Sequence, residues 1–230
     1  MKPIIKYQEL DIYLNANEII STFLTPKFLK ESHIVPKEWD FKNPPEITSE
    51  QGQATFNNEV SLYAKDGEII FTEPVAYRYV KPSNLNIPFL AKKWINTFNQ
   101  FNYSLTRIGF RSFIWFERNE KSDFSQYIPS TVLVANDLQS ASIEPIRGSI
   151  ELLFNNPKDD FVLKIEDATI VEETDSSLIA GAFFSTDFSR NIEGISNRDK
   201  LEQINKFIDE WEEYWELYED IVNRKILKMY

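Results

Sequence analysis

The stretch LEQINKFIDEWEEYWELYEDIV, residues 201–222, reads as one amphipathic helix. Its apolar residues fall at Leu201, Ile204, Ile208, Trp211, Trp215, Tyr218 and Val222, in alternating steps of three and four. That spacing places them on one stripe of a helix. Phe207, Tyr214 and Ile221 widen the stripe. The opposite face carries Asp209, Glu210, Glu212, Glu213, Glu216, Glu219 and Asp220, with no basic residue between 207 and 223. An aromatic stripe of this width needs a large apolar partner. The uniformly acidic back disfavours a parallel coiled coil of two copies, since like charges would face each other. The reading adopted is a core helix lying on the chain's own antiparallel sheet; a helix that binds another chain is the alternative.

Working outward, Ser196 with Asp199 three residues on resembles a capping box that opens this helix. Arg224, Lys225 and Lys228 close it, where cations suit the helix dipole. Three strands are expected before it, at Gly148–Phe154, Phe161–Val171 and Leu178–Phe188, with turn formers between them. Tyr103–Phe116 reads as a long strand and Pro88–Phe101 as a helix. Thr55–Ala64 and Glu68–Tyr79 read as a hairpin around Asp66-Gly67, a turn pair that accepts positive φ at both positions. Ile4–Leu14 is a strand with Leu10, Ile12 and Leu14 on one face. Asn15–Leu24 is read as a short helix, with a continuing strand as the alternative, and Pro26 opens a further helical piece through Glu31. Pro36–Gln53 is irregular, with Trp39 and Phe41 pinning it to the body. Glu117–Tyr127 is a polar loop, and Thr131–Ala135 reads as a strand.

The fold class is therefore α+β: a mainly antiparallel sheet of seven to nine strands, two principal helices packed on one side, and a long C-terminal helix. Residues 1–230 are expected to form a single domain, and 118–146 is the best boundary if there are two subdomains.

Composition narrows the chemistry. Cysteine is absent, which excludes disulfides, thiolate nucleophiles and cysteine-ligated metals. His33 is the only histidine, so a multi-histidine metal site is excluded and a structural role is the better reading. No G-x-S-x-G elbow, phosphate loop or calcium-loop layout occurs. No cofactor and no metal are expected. The net charge of −11 argues against nucleic-acid binding. No apolar run approaches the ~20 residues of a membrane helix and the N-terminus has no secretory core, so a cytoplasmic, non-membrane protein is expected. Charge is uneven: residues 76–121 carry a net +6, leaving −17 for the rest. The basic middle and the acidic helix are expected to attract one another.

The one local constellation with binding chemistry is Arg107, Gly109 and Arg111. Strand alternation puts both guanidiniums on one face, about 13–14 Å apart at ~3.3 Å per residue, with Tyr103, Phe113 and Trp115 on the same face. Arg78 is expected on a neighbouring strand. Guanidiniums beside aromatics suit a carboxylate or phosphate ligand. The plainer reading is that these arginines pair with the acidic final helix or snorkel over a sheet edge.

Trp94 and Phe98 on a helix, the strand Arg107-Ile108-Gly109-Phe110-Arg111, and Leu178–Phe188 followed by the long final helix together resemble a sporadically distributed, uncharacterised family of bacterial proteins. That resemblance covers the last two-thirds of the chain. It implies a compact α+β protein, no assigned activity, and interest in Arg107 and Arg111. Three functions stay open. The first is a non-enzymatic binding protein that meets a protein partner or a second copy through the face near Arg107 or a sheet edge. The second is a small-molecule binder with an aromatic pocket and arginine anchors for a small anionic ligand. The third is a hydrolase using carboxylates.

Overall fold

A computed structural model describes residues 3–75, 84–116, 149–155, 159–171, 178–194 and 196–227. The first strand, β1 (Pro3–Ala16), alternates in polarity. Leu10, Ile12 and Leu14 point to one side and are fully buried, while Glu9, Asp11 and Tyr13 point to the other. The same period of two runs through β2 (Glu46–Ile47), β3 (Gln51–Thr55), β4 (Ser61–Lys65), β5 (Glu68–Pro74), β6 (Tyr103–Phe116), β7 (Ser149–Asn155), β8 (Asp160–Val171) and β9 (Leu178–Asn191). The nine strands of the described residues form one antiparallel sheet in the order β2-β3-β4-β5-β1-β6-β9-β8-β7. The expected α+β class and antiparallel pairing are what the chain adopts.

The helices are α1 (Pro26–Glu31), α2 (Ile87–Thr97), α3 (Asn197–Asp209) and α4 (Trp211–Glu219). The principal helices pack on one side of the sheet. Ile87, Leu90, Ala91, Trp94 and Ile95 of α2 are buried, as are Ile204, Phe207, Ile208, Trp211, Tyr214, Trp215 and Tyr218 of the final helices. They share one core with Phe71, Phe110, Phe184 and Phe188 of the sheet. Each such aromatic contributes on the order of 1.5–3 kcal/mol by burial. Phe110 meets Trp215 edge-on at 5.3 Å, and Phe154, Phe161, Phe188 and Tyr214 stack in sequence at 4.8, 4.6 and 4.6 Å.

The long helix keeps its stripe but not its straightness. It breaks at Glu210, between α3 and α4, and residues Asp220–Ile226 continue as a π-helical turn. Ser196 caps α3 where the sequence places the cap: its hydroxyl accepts from the Asp199 amide at 3.2 Å and donates to the Asp199 carboxylate at 2.7 Å. Glu73 of β5 caps α2: its buried carboxylate accepts from the Asn86 and Ile87 amides at 2.6 and 3.0 Å. The basic middle meets the acidic helix at Lys92–Asp209.

Several boundaries differ from expectation. Asn15–Leu24 is the end of β1, a turn and a single 3₁₀ turn at Ser21–Leu24, and α1 follows where Pro26 placed it. Of the expected strand Thr55–Ala64, Thr55 ends β3 and Ser61–Ala64 belong to β4, because a turn with Glu59 at φ 66° lies between them. Asp66 and Gly67 both take positive φ, at 49° and 77°, as that turn requires. Helix α2 stops at Thr97. Phe98 and Phe101 then fold back to pack with Phe23 at 4.8 and 6.0 Å. Trp39 and Phe41 both rest on Phe56 and pin their stretch as expected. Glu117–Tyr127, Thr131–Ala135 and the interval 118–146 lie outside the described residues. Among the described residues no helix is long and apolar enough to cross a membrane.

Candidate functional site

The helices cover one face of the sheet, and a cluster of charged residues gathers on the other. Register decides which ones meet. Glu9, Asp11 and Tyr13 of β1 stand opposite Arg111, Gly109 and Arg107 of β6. On the far side of β6, Gly109 stands opposite Asp187 of β9. On the near side of β1, Asp11 and Asn15 stand opposite Thr72 and Glu68 of β5. Four strands thus deliver four carboxylates, two guanidiniums and a phenol to one patch.

Arg111 spreads its three nitrogens along β1. Nη1 donates to Glu9 at 3.3 Å, Nε faces Asp11 at 3.1 Å, and Nη2 donates to the Tyr13 hydroxyl. Arg107 donates through Nη2 to both oxygens of Glu68, at 2.8 and 2.7 Å, and its guanidinium lies 4.4 Å from the centre of the Tyr13 ring. Tyr13 therefore joins the two arginines, one on its face and one at its hydroxyl. Tyr7 donates to Glu9 from the next position along β1.

Asp11 is the deepest group, with none of its side chain exposed. It accepts from Thr72 Oγ1 at 2.5 Å and from Tyr13 at 3.3 Å. Burial pushes its carboxyl up to about 7; Arg111 pulls it down, and Glu9 and Asp187 push it up again. Burial also raises Asp187, against the pull of Arg107 and Arg111. For Arg111, burial disfavours the charge, but Asp11, Tyr13, Glu9 and Asp187 outweigh it and raise its pKa. The patch holds more acid than base; burial is the first cause of the rise at Asp11 and Asp187, and the neighbouring acids add to it. Among the described residues no three acidic or imidazole side chains converge as metal ligands do.

Gly109 has a specific job here. A Cβ at that position would lie 2.9 Å from Asp187 Oδ1, so the missing side chain is what lets the aspartate lean over β6. A cavity of about 240 Å³ adjoins the patch at the β4–β5 turn, lined by Asn15, Tyr63, Lys65, Asp66, Glu68 and Ile70. Glu68 belongs to both.

The residues singled out from sequence divide as follows. Arg107 and Arg111 share the patch, and Trp115 is on the same face farther along β6, under the Lys6 ammonium at 5.2 Å from its ring. Tyr103 is on the other face. One extra residue in β6 sets Ala16 opposite Tyr103 while Asn15 stays opposite Leu105, and this bulge turns the tyrosine toward the helices, beside Phe101 and Trp94. Arg78 lies outside the described residues. Both described arginines have found acids on neighbouring strands and not on the final helix. The acids themselves were missed. The signal for them is the run Glu9-Leu10-Asp11-Ile12-Tyr13-Leu14, where every second residue of a strand with a buried face is charged or phenolic.

A second buried ion group lies at the helix layer. Arg190 binds Asp159 through Nε at 2.6 Å and Nη2 at 2.9 Å, and it also reaches Glu210 at 2.9 Å. It ties the start of β8 to the bend of the final helix, and its placement is structural.

Compared with protein-family models, with curated proteins and with solved structures, the chain matches none.

Proposed function

We propose that this chain is a non-enzymatic binding protein, acting in the cytoplasm, whose recognition surface is the charged sheet face centred on Arg107, Tyr13 and Arg111. One observation carries the reading: a completely buried aspartate and two partly buried guanidiniums occupy the middle of the sheet, where apolar side chains would stabilise the fold at least as well. Charge held at such a position is commonly functional. Catalysis is the weaker reading. Asp11 has no exposed surface with which to touch a substrate, and Glu9 and Glu68 are already engaged by arginines. Pure anion binding is weaker too, because an anion would have to displace Glu68 or Glu9 inside a patch that carries more acid than base.

The test removes one acid and one base together. In Asp11→Asn/Arg111→Met the formal charge is unchanged, and the melting temperature is expected to stay within a few degrees of wild type. Native mass spectrometry of protein purified from its own host is expected to show a retained partner or ligand on wild type and none on the double variant. Bare wild-type protein, or a variant that keeps its companion, overturns the reading.

A second reading is favoured by the edge strand β7. Leu153 is 76% exposed, and Leu152 and Phe154 are 37% exposed each. A strand from a protein partner added to this edge would cover them.

A further inference from the structure

The wall of the cavity at the β4–β5 turn holds one unmet polar group, and the network behind Glu68 holds another. Asn15 Oδ1, an acceptor in its wall, is buried with no hydrogen-bond partner among the described residues. Arg107 Nε, a donor on the guanidinium that Glu68 holds, is likewise buried without one. A buried polar group left unpaired is costly, and native structures keep few of them. Both belong to one local network, because Glu68 accepts from Asn15 Nδ2 at 3.4 Å and from Arg107. Across the cavity, Lys65 is held only loosely. Its ammonium is 3.8 Å from Asp66, and both side chains are about half exposed or more, at 48% and 76%. Such a pair is weak and readily exchanged. Tyr63 and Ile70 add an aromatic and an aliphatic surface.

We infer that this cavity binds a small zwitterion, an α-amino acid or a molecule presenting the same ammonium and carboxylate, and this rests on the charged face being a recognition surface. An ammonium supplies the donors that Asn15 Oδ1 and Glu68 can accept. A carboxylate takes the Lys65 ammonium in place of Asp66. A simple cation leaves Lys65 facing it, and a simple anion meets Glu68 and Asp66; only a ligand with both charges suits both walls. The volume of about 240 Å³ falls below the ~300–1,000 Å³ typical of sites for drug-sized ligands, which suits a molecule of amino-acid size. The apolar surface of Tyr63 and Ile70 favours one with an aliphatic or aromatic side chain.

The free amino acids are titrated one at a time into ¹⁵N-labelled full-length protein. A saturable shift of the Asn15, Tyr63, Lys65 and Glu68 amides is expected for at least one apolar amino acid at about 10 mM or below. For leucine, the truncated probes are N-acetyl-leucine, which lacks the ammonium, and 3-methylbutylamine, which lacks the carboxylate. The corresponding pair serves for any other amino acid that binds. Each truncated probe is expected to bind at least about tenfold more weakly, a difference of ~1.4 kcal/mol. Lys65→Ala, at an exposed hairpin position, is expected to keep the fold and bring the amino acid down to the affinity of the amine. No saturable shift with any amino acid overturns the inference, as does an amine or an N-acetyl acid that binds equally well. If a host-derived companion is still lost from Asp11→Asn/Arg111→Met while no amino acid binds, the cavity inference falls alone. If wild type carries no companion, the broader reading falls on its own evidence.

Discussion

The guanidinium of Arg107 lies over the ring of Tyr13, 4.4 Å from its centre, while the hydroxyl of that same ring accepts from Arg111. One phenol thus organises two cations that strand geometry alone would hold apart. Tyr13→Phe removes the acceptor for Arg111 and the donor to Asp11 but keeps the ring. It is expected to cost about 1–3 kcal/mol, the usual penalty for a stranded buried partner. Tyr13→Leu also loses the cation–π contact, worth ~0.5–2 kcal/mol. Urea denaturation of the two variants separates the hydroxyl from the ring, and equal stability of Phe and Leu at this position would show that the ring contact contributes nothing.

Asp11 makes the stability of the fold depend on pH in a defined direction. Its carboxyl is raised by burial from 3.8 to about 7, so between those values the folded chain keeps a proton that the unfolded chain has lost. Stability therefore falls as pH rises through that window, by at most about 1.4 kcal/mol per pH unit from this group. Asp187, raised in the same sense, adds to the trend. Asn at position 11 mimics the protonated side chain throughout. The stability of wild type relative to Asp11→Asn is expected to decline from about pH 4 to pH 7 and level off above. A difference that is flat with pH, measured by urea denaturation in matched buffers, would show that Asp11 is ionised across the range.

The features legible in the sequence were those written locally. The stripe from Leu201 to Val222 repeats every three or four residues, and Leu10, Ile12 and Leu14 repeat every two, so each announces its buried face within a few residues. The charged patch is not written that way. Arg111 meets Glu9 across 102 positions of sequence, and only the register of β1 on β6 brings them together. Arginines in a strand could be recognised as candidates, but not the acids that receive them. Tyr103 failed for a related reason: a bulge flips every side chain before it, and Ser104 carries no mark of being the extra residue. Strand β3 was hidden by composition. Its sequence, Gln-Gly-Gln-Ala-Thr, has little β-propensity, and pairing with β2 and β4 makes it a strand. The bend at Glu210 leaves the helical period intact and so left no trace in it.

Two glycines on the central strands test how tightly the sheet is built. A Cβ at Gly181 would lie 2.3 Å from the Ile114 carbonyl oxygen and 2.7 Å from the Phe113 ring. Backbone cannot retreat without parting β6 from β9, so Gly181→Ala is expected to cost about 3 kcal/mol or more. At Gly109 the closest atom is the Asp187 carboxylate, at 2.9 Å, which can swing aside. Gly109→Ala should cost about 1–2 kcal/mol, and less in an Asp187→Ala background, because the clash has been removed. Thermal unfolding of wild type, the three single variants and the double variant would contradict this if Gly109→Ala proved more damaging than Gly181→Ala, or if its cost did not depend on residue 187.

The last relationship concerns the bend in the final helix. Glu210 sits at the break between α3 and α4 and is held by Arg190, which also binds Asp159 with two nitrogens and lies 4.7 Å from the Phe207 ring centre. A lysine keeps the charge, but its single nitrogen cannot span Asp159 and Glu210 in that fork. Arg190→Met leaves Asp159, only 5% exposed, as an uncompensated buried charge. It is expected to cost about 3–5 kcal/mol. Arg190→Lys should fall between wild type and Met. Asp159→Asn in the Met background should recover part of the loss, since the stranded charge and not the missing contact is the larger penalty. If instead the Arg190→Met/Asp159→Asn protein is no more stable than Arg190→Met, the arginine acts mainly through packing on Phe207. In that case the bend at Glu210 owes its position to the aromatic stripe beneath it and not to the ions above.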